Sequence, residues 1–293
     1  MKKLLASAAL ALTATPAVST PALPDADPAI WAVKDEDTTI YLFGTFHLLD
    51  GKRDWFNDEV KAAFDASQEV VLEAIIPDDP AMLQPLIVKY AMDPAGRTLS
   101  SRLEPALKDR LKQQLAALGI PAEALEPMEP WFVSTMLASA SAQKLGMSGE
   151  HGAEALITKA ARAAGKPVDE IEGLEFQLSL FDTVPENLQI AMLSETIGQL
   201  AEIDEMFAPM VAAWAAGDTE TVARFMNEGM DETPELFDIM LTNRNAAWAE
   251  WIDQRLDRPG TVFMAVGAGH LAGKNSVQDL LLRRGIQSAR VRP

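Results

Sequence analysis

Two stretches near opposite ends of this chain are built alike, and they constrain its fold more than anything else in it. Thr39-Ile-Tyr-Leu-Phe-Gly-Thr-Phe-His47 and Thr261-Val-Phe-Met-Ala-Val-Gly-Ala-Gly-His270 are each apolar and β-favouring, stop at a glycine, and carry a histidine three residues later. A strand apolar on both faces belongs inside an α/β sheet covered by helices. Such sheets bind ligands beyond the carboxyl ends of their strands. A lone Gly-x-x-His is a weak pattern, and a histidine there can simply cap a strand. Two of the chain's three histidines in the same construction turn the balance toward chemistry at His47 and His270.

Other strands are placed the same way. Ile30 to Val33 and the run from Ile40 form a hairpin across the polar turn Asp35–Thr38. Glu69 to Ile76 reads as a buried strand with Glu73 inside it. An ionised carboxylate there is costly unless paired or metal-bound; the alternative is a Glu that marks the exit to solvent. Lys166 to Glu172 is a short third strand ending at Glu172, and Ile286 to Pro293 a last one at an edge.

Between the strands the chain reads as helical. Asn57 to Ser67 has Val60, Ala63 and Phe64 as its stripe, and Leu99, Leu103, Leu107, Leu111 and Leu115 recur every four residues. The regular part of that second helix is expected from Pro105 to a stop at Gly119. The methionine, leucine and alanine of Pro185–Gly217 read as core packing rather than a binding surface. His151 reads as a surface residue of a polar loop, and Glu154 sits in a first helical turn, where the helix dipole suffices to explain it. In the helix expected from Pro234 to Arg258, Phe237, Leu241, Trp248 and Trp251 make one stripe, and Arg244 completes it. A guanidinium on a buried face needs an anionic partner, unless it snorkels to the helix edge.

Composition narrows the function classes. A net charge of −18 over 293 residues argues against nucleic acid and anionic lipid as partners, since both need a basic face. Residues 1–22 have the layout of a secretory signal peptide: Lys2 and Lys3, an apolar run from Leu4 to Ala14, then small residues and prolines. That run is too short to span a membrane. With no cysteine, there is neither a disulfide nor a lipid-anchor site. The expectation is an exported protein without a stable membrane span after signal removal, in the periplasm or secreted. Residues 23–293 are expected to form one α/β domain, a central largely parallel sheet flanked by helices, with a helical insertion or cap over roughly 80–160 and 174–258.

Right-handed crossovers put the carboxyl ends of parallel strands on one edge, so His47, Glu73, Glu172 and His270 are expected to converge there with Arg244 nearby. Two histidines and a carboxylate suit a divalent transition metal such as Mn, Co, Fe or Zn. A second Glu would then serve as general base and Arg244 as an oxyanion partner. A metal-free histidine base is the alternative chemistry. No HExxH, GxSxG or P-loop is present.

Tyr41-Leu-Phe-Gly-Thr-Phe-His-Leu48, Val71-Leu-Glu73, Pro130-Trp131, Ile171-Glu172 with Gln177, Arg244-Asn245 and Val266-Gly-Ala-Gly-His-Leu-Ala-Gly273 resemble the TraB/PrgY/GumN family, in the family's order. That family is similar to the Tiki metalloproteases and, more distantly, to the erythromycin esterase/ChaN-like fold. The resemblance implies a metal-dependent, peptidase-like hydrolase with His47 and His270 as metal ligands, Glu73 as ligand or base, Arg244 as a polarising group, and Glu172 matching a family glutamate. Its substrate would be a peptide or protein. The competing class is a non-catalytic periplasmic protein that sequesters a peptide or a haem-like ligand.

Overall fold

The structure is a computed structural model that describes residues 22–227 and 233–292. The signal-peptide expectation for residues 1–22 therefore falls almost wholly outside the described residues. In chain order the main elements are β1 (Ile30–Lys34), β2 (Thr38–Thr45), α1 (Asp58–Ala66), β3 (Glu69–Leu72), α2 (Pro105–Leu118), α3 (Pro130–Lys144) and α4 (Ala153–Ala163). They continue with β4 (Val168–Glu170), α5 (Leu174–Thr183), α6 (Glu186–Gln199), α7 (Ile203–Ala215), α8 (Thr219–Asn227), α9 (Asn243–Leu256), β5 (Gly260–Gly267), α10 (Val277–Arg283) and β6 (Ser288–Arg290).

The strands form one six-stranded sheet in the order β4-β3-β5-β2-β1-β6. The four from β4 to β2 run parallel, and β1 pairs antiparallel with both β2 and β6. The two like-built strands are therefore immediate neighbours. Their register sets Gly44 against Val266 and Thr45 against Gly267, so both Gly-x-x-His segments leave the sheet side by side.

Side chains alternate across the sheet with period two. Phe43, Val70, Leu72, Phe263 and Ala265 pack on one face, beneath α1, α4 and α7. Ile40, Leu42, Val71, Val262, Met264 and Val266 pack on the other, against Trp248, Ala249 and Ile252 of α9 and Val277 and Leu281 of α10. Helices on both faces explain why β2 and β5 carry no polar alternation. The leucine stripe is buried in a separate cluster, where Leu107, Leu111 and Leu115 of α2 meet Val133 and Leu137 of α3 and Leu193 and Ile197 of α6. This helical unit is narrower than the expected cap, because α4, α7 and α9 lie on the sheet.

Four expected elements change. The strand from Glu69 ends at Leu72 rather than Ile76: Glu73 turns its carboxylate inward, and Ile76 is exposed. The strand expected over Lys166–Glu172 and the one over Ile286–Pro293 shrink to three residues each. The helix expected from Pro234 to Arg258 contains a π-helical turn over Asp238–Thr242. The wider turn moves the buried position from Phe237 to Leu236, five residues before Leu241. From Leu241 onward the stripe proceeds to Arg244 and Trp248. Among the described residues no helix is long and apolar enough to cross a membrane.

Candidate functional site

Four of the singled-out residues touch one another at the carboxyl edge of the sheet. Arg244 donates through Nε to Glu172 Oε1 at 2.8 Å and through Nη2 to Glu172 Oε2 at 2.7 Å. Nη2 also donates to Glu73 Oε2 at 2.8 Å, and Nη1 to the Met240 carbonyl and His270 Nε2, both at 3.0 Å. Glu73 further accepts the Gly267 backbone N–H at 2.5 Å and Gln177 Nε2 at 2.8 Å. Glu172 accepts Trp248 Nε1 at 2.8 Å and Gln177 Nε2 at 3.1 Å. The partner that a buried guanidinium demands is thus a pair of carboxylates from two strand ends.

Local structure makes this possible. The Gly267 amide that meets Glu73 closes β5, next to the strand that delivers Glu73. His270 lies in the single helical turn after β5 and is buried at 5% exposure. Its ring packs on Trp248 with centroids 4.3 Å apart. Nδ1 lies 2.5 Å from Asn245 Oδ1, and the Asn245 amide is oriented by donating to the Asn275 carbonyl at 2.9 Å. Since Arg244 can only donate, Nε2 of His270 holds a lone pair and Nδ1 carries the proton.

His47 is anchored from the other side. Its Nδ1 lies 2.7 Å from Glu154 Oε1, which also accepts Thr45 Oγ1 at 2.6 Å. Glu154 arrives because α4 starts against the β2 exit: the Ala153 N–H donates to the Phe46 carbonyl at 3.0 Å. A Cβ on Gly152 would overlap the His47 carbonyl oxygen, so only glycine permits that approach. His47 makes no direct hydrogen bond to the other four residues, yet it is close enough to Glu73 and Arg244 for their charges to act on it.

The electrostatics separate the two imidazoles. The Glu154 carboxylate pushes His47 up to about 9, so the ring is protonated at neutral pH. That ring is 72% exposed, and solvent screens part of the attraction. Burial pushes His270 down to about 4, which keeps it neutral. Burial by itself would raise Glu73, but its cationic neighbours and the Gly267 amide hold it down to about 2. Arg244 and that amide persist at neutral pH, where His270 carries no charge.

Sequence reasoning undervalued Glu154, which a first-turn position explained by itself. The stripe put Trp248 on the buried face with Arg244, and the family resemblance picked out Gln177 and Asn245, but neither showed that these three side chains bond or pack against the site residues. His151 is exposed and bonds Ser148 Oγ at 2.9 Å. Core packing accounts for part of Pro185–Gly217, where Leu193, Ile197 and Val211 are buried and Met210 packs against the core, but Met192, Met206 and Met210 also line a cleft of about 820 Å³ that has His47 and Arg244 in its wall. Composition could not tell which faces of α6 and α7 border a cavity.

The donor types are those that hold a divalent metal, although His47, His270 and Glu73 do not bring their ligand atoms within 4.8 Å of one another. Each histidine is fixed at Nδ1 by a side-chain oxygen, which leaves Nε2 as the ligand atom, the outer-shell arrangement typical of ligating histidines. Glu73 Oε1 lies 3.9 Å from His270 Nε2. For His270 to ligate, Arg244 Nη1 must release Nε2. Among the described residues, the trio of potential ligands already drawn within 4.8 Å of one another is a different one, the exposed Asp25, Asp27 and Asp58.

A family model described as the TraB/PrgY/gumN family matches residues 29–290. Relatives include the uncharacterized protein YbaP of Escherichia coli (strain K12), 26% identical over 66% of this chain and 71% of that protein. Metalloprotease TIKI1 of Danio rerio is 24% identical over 90% of this chain, which spans 63% of TIKI1. An uncharacterized protein of Treponema pallidum (strain Nichols) is 21% identical over 87% of this chain and 80% of its own length. No solved structure matches the chain significantly.

Proposed function

The chain belongs to the TraB/PrgY/gumN family, and from that footing we propose that it is an exported metal-dependent hydrolase acting on peptide bonds. The observation that carries the reading is the pair of histidines held at Nδ1 by Glu154 and Asn245, with an ionised Glu73 near enough for its charge to act on both. A relative named as a metalloprotease supports the same direction. The site at the carboxyl edge of a largely parallel sheet also supports the erythromycin esterase/ChaN-like fold. Periplasmic location rests on the layout of residues 1–22.

In this reading His47, His270 and Glu73 hold a divalent transition metal. Such an ion, when bound, lowers the pKa of its water and polarises a carbonyl. Glu73, held down to about 2, suits a ligand better than a proton acceptor. Glu172 has both oxygens occupied by Arg244, Trp248 and Gln177, so it positions Arg244 rather than acting as general base. Arg244 keeps Glu73 ionised, and the N–H it now gives to His270 is its donor best placed to meet a substrate carbonyl oxygen.

A second reading has an observation of its own. A protonated His47 beside a neutral His270 is an acid and base pair pushed apart in pKa, which supports metal-free hydrolysis. Quenched fluorescent peptides, assayed with chelator and after metal restoration, separate the two. Loss with chelator and recovery with Mn, Co, Fe or Zn supports the metal reading. Chelator-resistant turnover that His270→Ala abolishes supports the other.

A further inference from the structure

His47 lines two clefts. The first, of about 820 Å³, carries Met192, Met206, Met210, Met226 and Met240 on its wall, and Arg244 beside His47. Glu195, Glu202 and Glu205 also border it; its cationic lining groups among the described residues, Arg244 and the protonated His47, are already paired, Arg244 with Glu73 and Glu172 and His47 with Glu154. Glu195 accepts Gln199 Nε2 at 3.0 Å, but no salt bridge holds any of these three glutamates among the described residues. The second cleft, of about 600 Å³, reaches Glu73 and Gln177 and runs past Ile75 and Ile76 to Lys159 and Arg162. His47 thus stands in the wall of both clefts.

We infer that the site takes an extended polypeptide crossing both clefts, with a bulky apolar side chain in the methionine-lined cleft and a lysine or arginine near its glutamates. This rests on the hydrolase reading for the chemistry, but not for the binding. Unbranched thioether side chains adapt to apolar groups of differing shape, so the methionine wall favours apolar character over one side chain. Glu195, Glu202 and Glu205 add a charge rule that the methionines cannot, because an acidic residue there meets like charge. A chain that runs through both clefts has residues on either side of the one that lies at His47, so the arrangement favours attack within a chain rather than at its end.

The test is fluorescence anisotropy of labelled peptides of about 12 residues with the full mature chain. One peptide is apolar and cationic, one apolar and acidic, one polar and cationic. The first is expected to bind at least about tenfold more tightly than either other. The exposed pair Glu202→Lys and Glu205→Lys should reverse the charge ranking, and Met206→Gln with Met210→Gln should erase the apolar one. The charge preference should shrink in about 0.5 M salt, which screens exposed charges. Equal binding of the three peptides, or a ranking indifferent to the glutamate reversal, overturns the inference. Ranked binding without cleavage leaves it standing and counts against the hydrolase reading alone.

Discussion

Arg244 directs five hydrogen bonds at Glu172, Glu73, Met240 and His270, so the site's geometry turns on that one side chain. Arg244→Met leaves two buried carboxylates unpaired, and urea denaturation should register a loss of about 3–5 kcal/mol. Arg244→Lys should recover little of it, because an ammonium cannot reproduce the planar fork. Glu154 governs the other histidine. In Glu154→Gln the His47 titration, followed by NMR of the ring protons, should fall from about 9 toward roughly 6.5. The same shifts set the pH dependence of stability. Glu73 and His270 both have lowered values in the fold, so the unfolded chain binds more protons in acid. Their contribution is present above about 6.5 and is lost as pH falls through 6.5 to 4 for His270 and through 4.5 to 2 for Glu73. His47 is raised, so its contribution is present below about 6.5 and is lost as pH climbs toward 9, weakly because water screens the ring. Calorimetry should find the thermal midpoint climbing from pH 4 to neutrality, then sagging slightly, with the alkaline sag absent in Glu154→Gln.

The elements were legible in proportion to how regular their burial is. Strands β2 and β5, apolar on both faces, and the leucine stripe of α2 could be read directly, as could the helix start at Pro105 and its left-handed stop at Gly119. The buried face of α9 was also readable, because a lone arginine among tryptophans has few explanations. What stayed hidden depends on tertiary approach. The π turn before α9 shifts a stripe by one residue without a Pro or Gly to announce it. Glu154 matters only because α4 begins against the β2 exit, and that contact is set by the missing side chain of Gly152. Gly152→Ala should push α4 away from His47, lower the His47 pKa and reduce turnover, while far-UV circular dichroism stays native. Unchanged His47 titration in that variant would show that α4 does not position the ring.

At the scale of the molecule, a parallel sheet collects four strand ends on one edge, and two clefts have His47 in their walls. The acidic charge, −18 in all, argues against a polyanion as ligand. Because His47 is held protonated, a metal must displace its Nε2 proton, so affinity should rise with pH up to about 9. Isothermal titration with Mn or Zn at pH 6, 7 and 8 checks that slope; a flat profile would exclude His47 as ligand.

The most direct measurement is the metal content of protein purified without chelator, for the natural chain beside His47→Ala and His270→Ala. A shared metal centre predicts near-stoichiometric Mn, Co, Fe or Zn in the natural chain and its loss from both variants, with both still folded. A natural chain that holds no metal and takes up none when it is added, or variants that retain it, would contradict the two-histidine centre.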